Sequence, residues 1–329
     1  MQNQLSSSGM EKPFPALTPA QRWYLEVHGY VVVENVFNEN EVGLMLDALH
    51  KLKRDFLSRD DPWSKETIRN CTMYTSDALL GNHHHFNHLV EADPIFLEYA
   101  THPRLVGMCE EVMGNAAQLA ETQAAINGPS PSDTYDGPGR YLWHHMRPEI
   151  IGYTFNGLFH CHYVKALTNL TDLGPDDGGT CVVAGCHKTT CREEGIVQAA
   201  REDPSLIHQV IAPAGSTLIF CETLLHSTGD IRSDRERTVI ITGYSHNHHY
   251  QGNFMPGFEE QVPEHLRSVV FGTYGTTNMR RRTLDMDVGK GNPKYFNDGW
   301  TGTYAEATSI NADESSWQGA AEVIRANGK

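Results

Sequence analysis

The feature that most constrains the fold is a run of short apolar segments separated by turn residues, which occupies the chain after residue 141. The segments span 158–171, 180–184, 207–212, 216–221 and 238–244, with Gly, Pro, Asp and Asn between them. This pattern is typical of short strands in a sandwich or barrel. Because helical patterns precede it, the sequence predicts an α+β protein, mainly β in its core, whose later half is the sandwich or barrel.

Local signals predict the helices of the first part. Thr18 and Gln21 form a capping box around Pro19, and Gly29 is a natural stop for that helix. Tyr30 then begins a β-branched strand, and Asn38 is the expected cap of a second helix. The other expectations for this part are irregular chain over 54–86, two helices over 88–114 divided at His102-Pro103, and a strand over 116–127.

The ends of the chain differ in composition from its middle. Residues 1–16 are polar, without the pattern of a signal peptide, and are predicted to be a disordered leader. Residues 17–250 are expected to form one domain. Residues 251–329 are rich in Gly, Asn, Thr and Arg, and we interpret them as a C-terminal arm, either part of that domain or a lid, with a terminal helix near 314–326.

Composition narrows the class of partner. The net charge of −15 argues against a nucleic acid or an anionic membrane surface, and no apolar run approaches the about 18 residues of a membrane span. Seven scattered cysteines without a secretory signal indicate free thiols and a cytoplasmic protein. Eighteen histidines hint at metal chemistry. A small-molecule substrate is the expected partner, and a homo-oligomer stays open.

Four blocks of sequence resemble the phytanoyl-CoA dioxygenase family of Fe(II)- and 2-oxoglutarate-dependent oxygenases. They are HGYVVVENVFNENEV, DPIFLEYATHPRLVGMCEEVMG, LTDLGPDDGGTCVVAGCHK and AGSTLIFCETLLHSTGDIRSDRERTVIITGY, in the family's order. In the third block Cys186 stands where serine is usual. The resemblance implies a double-stranded β-helix, a cupin-like jelly-roll with N-terminal helices packed on it. It also implies iron held by a His-x-Asp pair and a distant histidine.

The fourth block carries two residues of the implied site. His226 stands at the position of the distant metal histidine, and Arg237, eleven residues later, at that of the arginine for the distal carboxylate of 2-oxoglutarate. A guanidinium holds a carboxylate with two parallel hydrogen bonds, which a lysine does not match. Thr228 is expected to add a hydroxyl donor to the same carboxylate. Arg235 is the alternative if the strand register shifts.

The first ligand pair departs from the family's pattern. In YLWHHMRPE, alignment on Trp143 puts His144 at the metal histidine and Met146 at the aspartate. A thioether is a weak ligand for iron and lacks the carboxylate's charge. Four explanations stay open: Glu149 supplies the carboxylate, His145 is the ligand in a shifted register, water or a halide fills the position as in related halogenases, or iron binding is lost.

Several other polar groups are interpreted as structural or solvated. They are the hairpin turn 176–179 with Asp172 as its cap, His187 beside the barrel, the strand histidines His160 and His162, the loop histidines His83, His84, His85 and His88, and the basic turn 280–282.

The chemistry implied by the resemblance is oxidation, most simply hydroxylation, of a small organic metabolite, with release of succinate and CO2 from 2-oxoglutarate. Because of Met146, two alternatives are kept: a non-catalytic jelly-roll protein, and an iron enzyme that does not use 2-oxoglutarate. An acyl-CoA substrate is not favoured, since no basic groove for its phosphates is evident.

Overall fold

The structure is a computed structural model. It describes residues 16–64, 66–75, 82–114, 116–129, 143–146, 151–155, 157–189, 193–245 and 254–272. Four predictions lie outside these residues: nearly all of the leader, Glu149, the basic turn 280–282 and the helix near 314–326.

Seven α-helices lie in the described ranges, four of them before the main strands. They are α1 Pro19–His28, α2 Glu39–Leu57, α3 Pro94–Ala100, α4 Pro103–Met113, α5 Glu193–Glu202, α6 Phe258–Gln261 and α7 Arg267–Val270. The predicted caps are confirmed. Thr18 and Asn38 each form a reciprocal capping box with the residue three positions on. Gly29 and Gly114 end α1 and α4 in the left-handed conformation, which costs glycine little.

Twelve described strands form three sheets. They are β1 Tyr30–Val33, β2 Thr72–Tyr74, β3 His83–Asn87, β4 Gln118–Asn127, β5 Gly152–Phe155, β6 Leu158–Cys161, β7 Tyr163–Asn169, β8 Cys181–Val183, β9 Ile207–Gln209, β10 Thr217–Cys221, β11 His226–Ser227 and β12 Arg237–Ser245. The large sheet has the order β1-β10-β7-β12-β4-β3-β2, a small sheet has the order β11-β8-β9, and β5 pairs with β6. All strand pairings are antiparallel.

The large sheet is covered on both faces. One face carries Val31, Val164 and Ile240 and packs in a core with the helix residues Met45 and Leu105. The opposite face packs against the small sheet in a second core, which contains Leu218, Leu167, Val239 and Val182. Two facing antiparallel sheets with helices outside are the jelly-roll architecture that the sequence predicted, although the described strands do not close into a barrel.

Two expectations about local structure are wrong. The range 54–86 was expected to be irregular, yet it contains β2 and most of β3, with the side chains of His83 and His84 buried. The turn 176–179 does not close a hairpin, because β7 pairs with β10 and β12 in the large sheet while β8 pairs with β11 and β9 in the small one. This turn therefore lies on a connection between sheets.

Asp172 also acts differently from the expectation. Its carboxylate accepts a hydrogen bond from the main-chain N–H of Ala214 at 2.8 Å, so it fixes the chain before β10 and not the turn at 176–179. Among the described helices, none combines the length and the apolar character that crossing a membrane requires. The six cysteines in the described part of the chain are buried, and no disulfide joins them.

Candidate metal centre

The short segment 143–146 runs beside β11 and brings two predicted ligands together. The N–H of His144 donates to the carbonyl of His226 at 3.1 Å, and the N–H of His226 donates back to the carbonyl of His144 at 3.1 Å. This antiparallel bridge places the two imidazole rings with their centroids 4.1 Å apart. Two histidines that are remote in sequence are thus neighbours because of backbone pairing.

A third side chain joins them that the sequence analysis missed. Glu222 follows the end of β10, and its carboxylate lies with the ring nitrogens of His144 and His226 in a group whose ligand atoms are all within 4.8 Å of one another. His144 is exposed, whereas Glu222 and His226 are buried. We refer to these three residues as the His-Glu-His trio.

The ring of His226 is held in the orientation that a metal ligand requires. Its Nδ1 donates to the carbonyl of Leu224 at 2.8 Å, because a carbonyl only accepts, and this leaves the lone pair on Nε2. Such a hydrogen bond to the second ring nitrogen accompanies most metal-bound histidines. Phe220 packs against the ring at a centroid distance of 4.6 Å. Burial, and next the neighbouring His144, lower the pKa of His226 well below its usual value, so the imidazole is neutral at pH 7.

The carboxylate of Glu222 is buried without full satisfaction of its oxygens. Its Oε2 has no hydrogen-bond partner among the residues that the structure describes. Burial raises the pKa of Glu222, while the positive charge of Lys165 opposes this rise. Lys165 itself is half-buried in β7 and forms an ion pair with Glu121. A metal ion is the kind of partner that would satisfy a buried carboxylate oxygen of this kind.

Three residues lie in the sequence at or near the position of the family's metal-binding aspartate. Met146 is half-buried and packs against the core on the helical side of the large sheet. His145 is half-buried, is not a member of the trio, and its Nδ1 donates to the carbonyl of Met146 at 3.0 Å. Glu149 lies outside the described residues.

Arg237 begins β12 and is 3% exposed. Its Nη2 donates to the hydroxyl of Thr180 at 3.2 Å, and its Nε has no hydrogen-bond partner within the described ranges. None of the ion pairs found in the described part of the chain involves it. Burial lowers the pKa of this guanidinium to about 10, which still leaves it charged at pH 7. A buried cation without an anion from the described protein is a site for an anionic ligand.

Sheet register connects this arginine to the trio. Thr180 immediately precedes β8, in which Cys181 pairs with Ser227 and Val182 with His226. Across the large sheet, Arg237 pairs with Asn127 of β4. Residues directly opposite each other in neighbouring strands share a face of the sheet, here the face that also carries Val239 in the core between the sheets.

The same face carries further polar groups without partners. His83 of β3 pairs with Asn127, so His83, Asn127 and Arg237 form a row across three strands. In the part of the chain that the structure describes, the buried Nε2 of His83, Oδ1 of Asn127 and Nε of Arg237 have no hydrogen-bond partner. Three neighbouring unsatisfied groups indicate a polar pocket for a ligand, since buried polar groups are normally paired. We call this row the polar row.

The two remaining predicted site residues, Thr228 and Arg235, are exposed. Thr228 follows β11. Arg235 forms an ion pair with Asp177, so its guanidinium already has a carboxylate partner.

The histidines interpreted as structural lie in packed surroundings. His160 donates from Nδ1 to the carbonyl of Val112 at 3.0 Å, and the rings of His160 and His162 stack on Tyr153. His187 is buried and packs edge-on against Phe159 at 5.1 Å between ring centroids.

The donor set fits a divalent first-row metal. Two neutral imidazoles and one carboxylate are the ligands of non-haem iron sites that leave positions open for other molecules. The unpaired Oε2 of Glu222 and the free lone pair of His226 Nε2 are the atoms in this structure that such an ion would engage. The unpaired guanidinium of Arg237 fits an accompanying carboxylate ligand.

Comparison with known proteins agrees with this architecture. The chain matches the family model described as phytanoyl-CoA dioxygenase over residues 25–239. Among solved structures it is similar to HygX from Streptomyces hygroscopicus with nickel and 2-oxoglutarate bound, with 21% identity, coverage of 72% of this chain and 90% of HygX, and a TM-score of 0.55.

Two other solved structures show the same fold. EctD from S. alaskensis shares 16% identity over 70% of this chain and 77% of its own, with a TM-score of 0.53. SnoK, a non-haem α-ketoglutarate-dependent carbocyclase from nogalamycin biosynthesis, shares 15% identity over 75% of this chain and 91% of its own, with a TM-score of 0.53. No curated protein sequence matches the chain.

The family match covers more than half of the chain. It confirms the predicted enzyme class and its two cofactors, iron and 2-oxoglutarate. The chain belongs to the phytanoyl-CoA dioxygenase family of Fe(II)- and 2-oxoglutarate-dependent oxygenases.

Proposed function

We propose that this protein uses Fe(II), 2-oxoglutarate and O2 to oxidise, most simply to hydroxylate, a small organic metabolite, with release of succinate and CO2. His144 and His226 are the proposed iron ligands, and Arg237 binds the distal carboxylate of 2-oxoglutarate. Thr228 remains the proposed additional donor to that carboxylate.

One observation carries the proposal: the fold brings together two imidazoles from remote segments and, along the same space between the sheets, an unpaired buried arginine. Structural burial of Arg237 alone would be costly, because a buried guanidinium without an anion loses hydration and gains little in return. The dicarboxylate supplies that anion. Ordered water can bridge its remaining oxygens to Asn127 and His83, the other members of the polar row.

The protein's own part in the reaction is binding, orientation and exclusion of water. Iron held by His144 and His226, with 2-oxoglutarate held by Arg237, would supply the chemistry that oxidises a C–H bond of the substrate with O2. Leu218, Phe220 and Val239 form an apolar wall between the sheets that keeps bulk water from the buried side of the trio. His144 is the exposed member of the trio, so the substrate approaches from its side.

Relatives of the same fold include HygX, whose structure is known with hygromycin B bound, and the carbocyclase SnoK. Hygromycin B is a small organic molecule, and SnoK belongs to the biosynthesis of another one, nogalamycin. Both observations support a small metabolite as the substrate of this protein. Hydroxylation is proposed as the outcome because it needs no further group from the protein after hydrogen removal.

The test is turnover of 2-oxoglutarate by the full chain. Anaerobically purified protein is loaded with Fe(II), mixed with 2-oxoglutarate and oxygenated buffer, and succinate is measured with and without a panel of small metabolites. We expect slow succinate formation without substrate and none in the His226→Ala variant. If the iron-loaded wild-type protein forms no more succinate than His226→Ala under any of these conditions, the proposal is wrong.

A further inference from the structure

The carboxylate of the trio comes from a different part of the chain than the family's pattern places it. The pattern puts an acid at position 146, two residues after His144, and this chain has a methionine there. Glu222 instead precedes His226 by four residues, in the sequence ETLLH that follows β10. Glu222 and His226, the two buried residues of the trio, thus lie at the two ends of the short segment that connects β10 to β11.

The backbone fixes Glu222 opposite Met146. The N–H of Glu222 donates to the carbonyl of Tyr163 at 3.1 Å, and the carbonyl of Glu222 accepts from the N–H of Met146 at 2.8 Å. The two positions therefore face each other across adjacent segments. The methionine side chain packs into the core on the helical side, and the glutamate side chain reaches the two histidines.

We propose that Glu222 is the third protein ligand of the iron, in place of an acid at position 146. This inference rests on the proposed iron site of His144 and His226. It keeps the ligand set of two imidazoles and one carboxylate, and hence its net charge, while the acid comes from the turn that precedes the distant histidine.

A purely structural role for Glu222, as counter-ion of the half-buried Lys165, explains fewer of these observations. The nearby Lys165 already has an ion-pair partner in Glu121, and one oxygen of Glu222 has no hydrogen-bond partner. A glutamate kept only for charge balance would place both oxygens on donors, since an unpaired buried acceptor is unfavourable. A carboxylate oxygen of Glu222 and the ring nitrogens of His144 and His226 lie within 4.8 Å of one another, close enough to bind one ion.

The decisive variants move the carboxylate from position 222 to position 146. Full-length wild type, Glu222→Gln, Met146→Asp and the double variant Glu222→Gln/Met146→Asp are prepared without metal, with His226→Ala as the variant that lacks a histidine ligand. Glu111→Gln is the matched control, because Glu111 is another buried glutamate, which binds the main-chain N–H groups of Ala16 and Leu17. Circular dichroism and thermal unfolding check the fold of each protein.

Anaerobic equilibrium dialysis with Fe(II) and the visible charge-transfer band of the Fe(II)–2-oxoglutarate complex are the readouts. We expect one iron per chain in wild type and Glu111→Gln, and a loss of affinity of at least about tenfold in Glu222→Gln, since even partners of metal ligands contribute tenfold or more. Met146→Asp in the Glu222→Gln background is expected to regain binding, as a carboxylate then stands at the family's position.

The outcomes separate this inference from the function it rests on. Equal iron affinity of wild type and Glu222→Gln, with loss only in His226→Ala, overturns the role of Glu222 and leaves the oxygenase proposal standing. Absence of iron binding in wild type overturns both.

If Glu222→Gln does not fold, a crystal of the Zn(II)-loaded wild-type protein decides. A Glu222 oxygen at about 2.0–2.2 Å from the ion supports the ligand role, and a longer separation overturns it.

Discussion

His144 and His226 exchange two main-chain hydrogen bonds of 3.1 Å, so the two proposed iron ligands are held by backbone pairing and not by the metal alone. Side chains on paired backbone segments have restricted freedom, and a site built on them loses little entropy when an ion binds. The trio is therefore arranged for binding before the metal arrives.

A preformed site predicts stabilisation by metal. A ligand that binds only the folded chain raises the unfolding free energy by about 2.7 kcal/mol at a free concentration of 100 times its Kd. For a domain of this size we expect Ni(II), a redox-stable substitute for Fe(II), to raise Tm by about 5–10 °C in differential scanning fluorimetry. His226→Ala removes a ligand and should abolish the shift. An equal shift in that variant would mean that nickel binds elsewhere.

Arg237 and Arg235 offer a matched pair of substitutions. Arg237→Gln removes the unpaired buried guanidinium, and charge-assisted hydrogen bonds of this type are worth about 1.5–3 kcal/mol, which corresponds to about 10–100-fold weaker binding of 2-oxoglutarate. Arg235→Gln breaks the ion pair between the exposed Arg235 and the buried Asp177 and should leave this Kd within about twofold. Titration of 2-oxoglutarate into the anaerobic Fe(II) protein measures both constants. The reverse order of effects would assign the carboxylate to Arg235.

Local sequence signals correctly predicted the helix ends, which are determined by interactions between residues close in sequence. The capping boxes at Thr18 and Asn38 and the glycine after α4 lie within a few residues of the helix ends that they determine, and these ends are found as expected. The strand β3 was missed because its HHHF sequence lacks the alternation of polar and apolar residues. The hairpin prediction failed because β7 and β8 find their partners far away in sequence, which neighbouring turn residues do not specify.

The residues of the candidate site also differ in whether the sequence alone could identify them. His226 and Arg237 stand in one continuous block, so the resemblance alone was enough to single them out. Glu222 stands in that block too, but a glutamate four residues before a histidine on a strand and turn has no characteristic ligand spacing. It becomes a candidate only when the segment 143–146 is seen to pair with the chain from 222 to 226. Tertiary pairing, and not spacing, creates the trio.

His187 predicts a pH dependence of stability. Burial, and next the charge of Lys188, lower the pKa of His187 from 6.5 to about 3. The unfolded chain therefore takes up a proton below pH 6.5 that the folded chain refuses. The stability contributed by the neutral ring is complete above pH 6.5 and is lost as the pH falls toward 3, by about 2 kcal/mol at pH 5.

The measurement compares urea unfolding of wild type and His187→Phe at pH 7.5 and pH 5. Phenylalanine keeps a flat ring against Phe159 and cannot take up a proton, so the variant should lose about 2 kcal/mol less than wild type between these pH values. The exposed His265 is the control position, and His265→Gln should follow wild type. Parallel pH curves for wild type and His187→Phe would show that the ring is protonated in the folded protein.

Gly29 ends α1 and packs against the chain that follows β8. Two independent features disfavour a side chain at this position. Its φ is +84°, a conformation that L-residues rarely adopt. A Cβ built on it would lie 2.6 Å from Nδ1 of His187, which is closer than real Cβ contacts. Backbone strain of this kind costs about 1–3 kcal/mol, and the clash with a buried ring adds to it.

We therefore expect Gly29→Ala to lower the unfolding free energy by at least about 1–3 kcal/mol. Gly43→Ala is the matched control, because Gly43 lies inside α2 and a Cβ there meets nothing within 4 Å. Alanine is the better helix former, so Gly43→Ala should raise stability by about 0.5–1 kcal/mol. Urea unfolding with equal m-values measures both changes. The opposite signs are the essential result: if Gly29→Ala were as stable as wild type, the ring of His187 would not lie against the end of α1, and the structural role assigned to that histidine would be wrong.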